Sequence, residues 1–125
     1  QHCKPRFFHE YALAKLKNRG YRIACGSNSV RDSIQIMLEK SDLLKYMEAV
    51  VSAQDVPQPK PSPAMYQKII SEFGLKPKEC LIIEDNINGI KAAKASGAWV
   101  MEVEVVEDVN YKNIEKHIKM FESGA

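Results

Sequence analysis

Apolar positions along the chain fall into two alternating rhythms. From residues 7 to 19, Phe8, Ala12, Leu13 and Leu16 recur at three- and four-residue spacing, which predicts a helix, and the run "GYRIACGS" that follows predicts a strand. Val30, Ile34, Met37 and Leu38 repeat the helical spacing, and "EAVVSA" gives a second strand. A proline-rich stretch, "QDVPQPKPSP", reads as a loop leading into a helix with Met65, Ile69, Ile70 and Phe73 inward. The strand "CLIIE", a helix over 87–96, the strand "WVMEV" and a last helix over 111–121 complete the pattern. Gly20, Gly74 and Gly97 each close a helical run just ahead of an apolar residue (Tyr21, Leu75, Ala98), as left-handed helix caps do. Strands apolar on both faces and separated by helices imply parallel pairing with helices over both faces of the sheet. The expected fold is α/β, a three-layer α/β/α Rossmann-like sandwich forming a single domain over 1–125.

Composition narrows the function more than it changes the fold. With 125 residues, 45% hydrophobic and 27% charged, the chain is large enough for one core and ordinary in kind. A net charge of +2 without a basic run points to neither nucleic acid nor an anionic membrane surface, and no apolar stretch approaches the ~18 residues of a spanning helix. Cys3, Cys25 and Cys80 are odd in number and show no C-x-x-C spacing, so they are expected to be buried free thiols of a cytoplasmic, reducing compartment.

Candidate chemistry collects at the carboxyl ends of the expected strands, where parallel α/β sheets bind ligands. The first strand delivers Ser27, with Ser29 placed to cap the next helix; the second leads through its loop to Lys60; the third ends on Glu84 and Asp85. Two adjacent carboxylates repel, and they ask for a cation, a lysine or water to compensate them. Singly, each residue has a plainer reading: Ser27 as a turn residue, Lys60 as a solvated loop lysine, the acids as helix-dipole partners, Asn86 as a helix cap. Together, a hydroxyl, an ammonium and two carboxylates on one rim suit a phosphate and a divalent cation.

The segments "LAKLKNRGYRI", "IACGSNS" and "KPSPAMYQKIISEFGLKPKECLIIEDNINGIKAAKASGAWV" resemble the carboxyl-terminal two thirds of the core domain of the haloacid dehalogenase superfamily, in its phosphatase and β-phosphoglucomutase-like branch. The resemblance runs from about residue 7 to residue 103 and is most specific in the lysine-proline loop and the strand ending in "EDNINGI". It implies phosphate binding by the Ser27 hydroxyl, the backbone beside it at Asn28, and Lys60. It also implies Mg²⁺ binding by Glu84 and Asp85, a small residue at Gly89 that lets the following helix pack closely, and a small phosphorylated metabolite as substrate. A response-regulator receiver combines similar groups but in another order, with its acidic pair first and its lysine last. The departure is at the nucleophile. The family's first central strand ends in Asp-x-Asp, and no Asp-x-Asp occurs here; Asp32, Asp42, Asp55 and Asp108 are expected in a helix start, a turn, the proline-rich loop and the segment after the last strand. The resemblance therefore implies a truncated core lacking that strand and the cap domain. Two functions follow: part of a Mg²⁺-dependent phosphohydrolase or phosphomutase, inactive as this chain alone, or a non-catalytic binding or assembly module. The strands flanking the missing one, "YRIACGS" and "CLIIE", would be left with unpaired edges. They are expected to close onto each other or, slightly preferred, to take a strand from another molecule by self-association or from an amino-terminal fragment.

Overall fold

The computed structural model describes residues 7–123. Helices and strands alternate as the pattern requires: α1 (Phe7–Asn18), β1 (Ala24–Gly26), α2 (Arg31–Lys40), β2 (Ala49–Val51), α3 (Ala64–Glu72), β3 (Leu81–Glu84), α4 (Ile87–Ala95), β4 (Trp99–Glu102) and α5 (Tyr111–Glu122). Cys3 and the side chain of Phe8 lie outside the described residues. No helix among those described is long and apolar enough to cross a membrane.

Two cores on opposite faces make the three layers. On one face α3 and α4 contribute Met65, Tyr66, Ile69, Ile70, Ala92 and Ala93, packed against Val51 and Ile82. On the other, α1 and α5 contribute Ala12, Leu16, Ile114 and Ile118, packed against Met101 and Val103, with Leu81 and Ile83 beside them. Successive residues of β3 thus serve opposite cores, because strand side chains alternate in direction. Each large side chain buried in this way contributes about 1.5–3 kcal/mol. Ala92 and Ala93 are fully enclosed, and their small size lets α4 approach the sheet closely. The turn after α4 needs Gly97, at φ +87°, a conformation side chains with a Cβ adopt only at a cost.

Several expectations change in detail. Val30 and Met37 are exposed rather than inward, at 51% and 38%: Val30 sits at the N-cap of α2, and only Ile34 and Leu38 on that helix are buried. Ser29 does not cap α2, which has no side-chain cap. Cys25 and Cys80 are free but only half-buried, since each lies on a strand or strand entry with one open side.

The sheet is interrupted. β1 pairs with β2 and β3 with β4, both in parallel, as two separate two-stranded sheets. The carbonyls of Cys80 and Glu84 accept from Trp99 and Val103 of the β4 segment, each at 3.0 Å. Parallel ladders bond alternate residues to each side, so the backbone groups of Leu81 and Ile83 point away from β4. By the same alternation the Gly26 carbonyl points away from β2, and it accepts from Lys60 Nζ, which also reaches Glu84 at the end of β3. The open edges of β1 and β3 therefore face each other with their carboxyl ends together. Direct closure of the two strands, one of the two expected outcomes, does not occur.

Candidate functional site

The strand ends converge on Lys60. Its ammonium donates to the Gly26 carbonyl at 2.8 Å and to Glu84 Oε2 at 2.5 Å, and lies 4.9 Å from the centre of the Tyr66 ring. Both members of the ion pair have side chains only 10% exposed. The solvated-lysine reading of Lys60 is thereby ruled out. A pair this far withdrawn from water is supported by further hydrogen bonds: the Gly26 carbonyl accepts from Lys60 on one side, and the Tyr66 hydroxyl donates to Glu84 Oε2 on the other.

The loop carrying Lys60 is fixed from two directions. Asn28 grips its backbone reciprocally, accepting from the Lys60 N–H at 2.9 Å and donating to the Lys60 carbonyl at 3.2 Å. The Asn28 side chain is therefore spent on the loop, which leaves its backbone N–H as the group able to face a phosphate. Farther back, the buried Ser52 forms a capping box with Asp55, which also pairs with Arg31 at the start of α2. The Ser52 backbone N–H, the Arg31 guanidinium and the Ser52 hydroxyl together hold the Asp55 carboxyl down to about 2. Asp55 is thus a structural acid that ties the loop to α2.

Ser27 follows β1 directly. Its N–H donates to the Val51 carbonyl, and its Oγ accepts from the Ser29 N–H at 3.2 Å, the turn geometry of the plainer reading. That turn uses Oγ only as an acceptor, so the hydroxyl proton remains to donate to an anion. At the end of β3 the two carboxylates divide: Glu84 turns inward to Lys60 and Tyr66, whereas Asp85 is exposed. Asn86 caps α4, its side chain accepting from the Asn88 N–H at 2.9 Å.

Gly89 has a different task from the expected one. A Cβ there would overlap the Glu84 carboxyl group, so it is this side chain, more than helix packing, that requires glycine. Gly89→Ala is expected to dislodge the carboxylate from its seat and cost about 1–3 kcal/mol, read as a lowered thermal midpoint. An unchanged midpoint would show that Glu84 can swing clear without losing Lys60.

Sequence periodicity missed Tyr66. It is 7% exposed, and it sits four residues before Ile70 and seven before Phe73, so the inward face could have been drawn to include it. As for a cation, Glu84 and Asp85 supply hard oxygens of the type Mg²⁺ takes, but among the described residues no group of three metal-ligating side chains comes together. The donor set therefore fits part of an octahedral shell. An open depression along α5 is lined by Lys112, Lys116 and Lys119 among others and brings together no buried polar groups, so it does not compete with this rim.

The family model described as "Haloacid dehalogenase-like hydrolase" matches residues 1–103. A phosphoglycolate phosphatase from Nitrosococcus oceani is 37% identical over 89 residues, which cover 71% of this chain and 40% of that protein. A predicted phosphoglycolate phosphatase from Haemophilus somnus superposes with a TM-score of 0.73 at 25% identity, covering 86% of this chain and 54% of that one. A HAD family hydrolase from Deinococcus radiodurans, crystallised with bound phosphate and sodium, gives a TM-score of 0.73 at 26% identity over 88% of this chain and 49% of its own. The chain spans less than half the length of that curated relative and about half that of each solved structure.

Proposed function

The chain belongs to the haloacid dehalogenase-like hydrolases, and from that membership we propose that it forms the phosphate- and cation-binding part of a Mg²⁺-dependent phosphohydrolase or phosphomutase acting on a small phosphorylated metabolite. The observation that carries this reading is the convergence of Ser27, Lys60 and Glu84 from three separate segments onto one rim, around an ammonium withdrawn from water. The bound phosphate in the Deinococcus radiodurans relative supports it. The half-buried free thiols Cys25 and Cys80 support a reducing, cytoplasmic setting.

In this reading Lys60 neutralises the phosphoryl oxygens, while the Ser27 hydroxyl and the Asn28 N–H orient them by donating hydrogen bonds. Glu84 and Asp85 would hold the Mg²⁺, which supplies charge neutralisation for the phosphoryl group when bound. The acceptor is an aspartate outside these 125 residues, on a strand that fills the slot between β1 and β3. Its carboxylate oxygen bonds to phosphorus as the ester P–O bond breaks, a second carboxyl group protonates the departing alkoxide, and water then cleaves the aspartyl phosphate. That strand comes from an amino-terminal segment or, through self-association, from another copy. A module that binds without turnover is the competing reading; it draws on the absence, among the described residues, of any aspartate bonded to Lys60.

Mg²⁺ is expected to raise the thermal midpoint by about 5 °C at ten times its dissociation constant, from ~1.4 kcal/mol of linkage. Asp85→Asn should remove that rise. Equal midpoints with and without the ion in both proteins would assign Glu84 and Asp85 a structural role alone.

A further inference from the structure

We propose that Tyr66 is the positioning residue of this site: its hydroxyl holds Glu84 Oε2 in a fork shared with Lys60 Nζ, and so fixes the orientation of both charged groups on the floor of the rim. For its chemical consequence this rests on the phosphohydrolase reading; the geometry stands apart from it.

Three observations converge on the proposal. The Tyr66 hydroxyl and the Lys60 ammonium contact the same oxygen of Glu84, and the ammonium also lies over the Tyr66 ring at 4.9 Å. The Glu84 carboxyl rests on Gly89, where a Cβ would overlap it, so the carboxylate is walled on three sides by Lys60, Tyr66 and the first turn of α4. Tyr66 itself is anchored on α3 within the core formed with Met65, Ile69 and Ile70, which prevents its ring from following a moving carboxylate. A phenylalanine would fill that core volume without the cost of burying a hydroxyl. The hydroxyl is warranted by what it bonds. A carboxylate oxygen can only accept, so toward Glu84 the Tyr66 hydroxyl is the donor.

The consequence is a division of labour within one carboxylate. With Oε2 committed to Lys60 and Tyr66, Oε1 is the oxygen Glu84 can offer to a cation, and Lys60 keeps a fixed station instead of sweeping across the rim. A tyrosine present only for packing would have no influence on the mobility of the Lys60 ammonium.

The test compares the 125-residue chain with its Tyr66→Phe variant by ¹⁵N-detected NMR of lysine side chains at low temperature. The Lys60 ammonium of the unsubstituted chain is expected to show slowly exchanging protons. In Tyr66→Phe, with backbone spectra confirming an intact fold, exchange should accelerate about tenfold or more, the factor expected for losing a hydrogen bond to a charged group. Equal exchange in the two proteins overturns the proposal. Should Tyr66→Phe fail to fold, the Tyr66 hydroxyl proton gives the same decision in the unsubstituted chain. It must exchange slowly enough to be observed, and a hydroxyl exchanging as fast as that of exposed Tyr11 overturns the proposal. In a protein completed with the Asp-x-Asp strand, Tyr66→Phe should lower kcat while leaving KM unchanged. Absence of turnover even without the substitution would count against the phosphohydrolase reading and leave the NMR comparison to decide the role of Tyr66.

Discussion

Replacing Lys60 with methionine is expected to cost about 3–5 kcal/mol of unfolding free energy, because it strands the Glu84 carboxylate with one side chain where two had compensated it. Glu84 is only 10% exposed, so water cannot simply take the place of the ammonium, and the Gly26 carbonyl loses its donor in the same step. The double variant Lys60→Met with Glu84→Gln should recover most of the loss, since no buried charge then remains. Urea denaturation of the four proteins in this cycle checks the claim. A single Lys60→Met variant within about 0.5 kcal/mol of the parent, the range of an ordinary surface substitution, would mean that the pair is solvated in solution.

How much of this was legible in the sequence depends on the range over which each feature is encoded. Local devices were read correctly: the left-handed turns at Gly20, Gly74 and Gly97 and the Asn86 cap each involve groups within a few residues of one another. So was the order of helices and strands, because the inward faces of α3 and α5 repeat at regular intervals. The strands came out shorter than their apolar runs. "GYRIACGS" supplies only Ala24–Gly26 to the ladder, because pairing stops where the neighbouring strand does. Val30 and Met37 looked inward by spacing, yet α2 buries a narrower stripe, through Ile34 and Leu38.

At the site, the residues singled out by spacing and resemblance take partners that the sequence alone does not show. Glu84 and Asp85 ask for compensation as a pair in the sequence, and the answer differs for each: Glu84 meets Lys60 from a segment 24 residues away, and Asp85 faces solvent. Asn28 and Gly89 similarly acquire their tasks from residues brought to them by the fold, the Lys60 backbone in one case and the Glu84 carboxylate in the other. The expectation that β1 and β3 might close directly failed because α3 and α4 already pack over both strand pairs, and shifting either pair by a strand width would disrupt these cores.

In the proposed reading phosphoryl transfer needs a covalent acceptor, and Ser27, Lys60 and the acidic pair would only position and neutralise the transferring group. Such electrostatic stabilisation is worth about 10²–10³ per donor when a nucleophile is present, and it does not replace one. None of Asp32, Asp42, Asp55 and Asp108 is bonded to Lys60; Asp55 is held by Ser52 and Arg31, and Asp32 lies in the first turn of α2. The most direct measurement is hydrolysis of p-nitrophenyl phosphate in Mg²⁺ by the 125-residue chain, alone and joined to an amino-terminal segment whose strand ends in Asp-x-Asp. No turnover above background is expected from the chain alone. The joined protein should gain metal-dependent turnover that Lys60→Ala largely abolishes. Robust metal-dependent turnover by the unaccompanied chain, or a joined, folded protein that remains inert, would contradict the account.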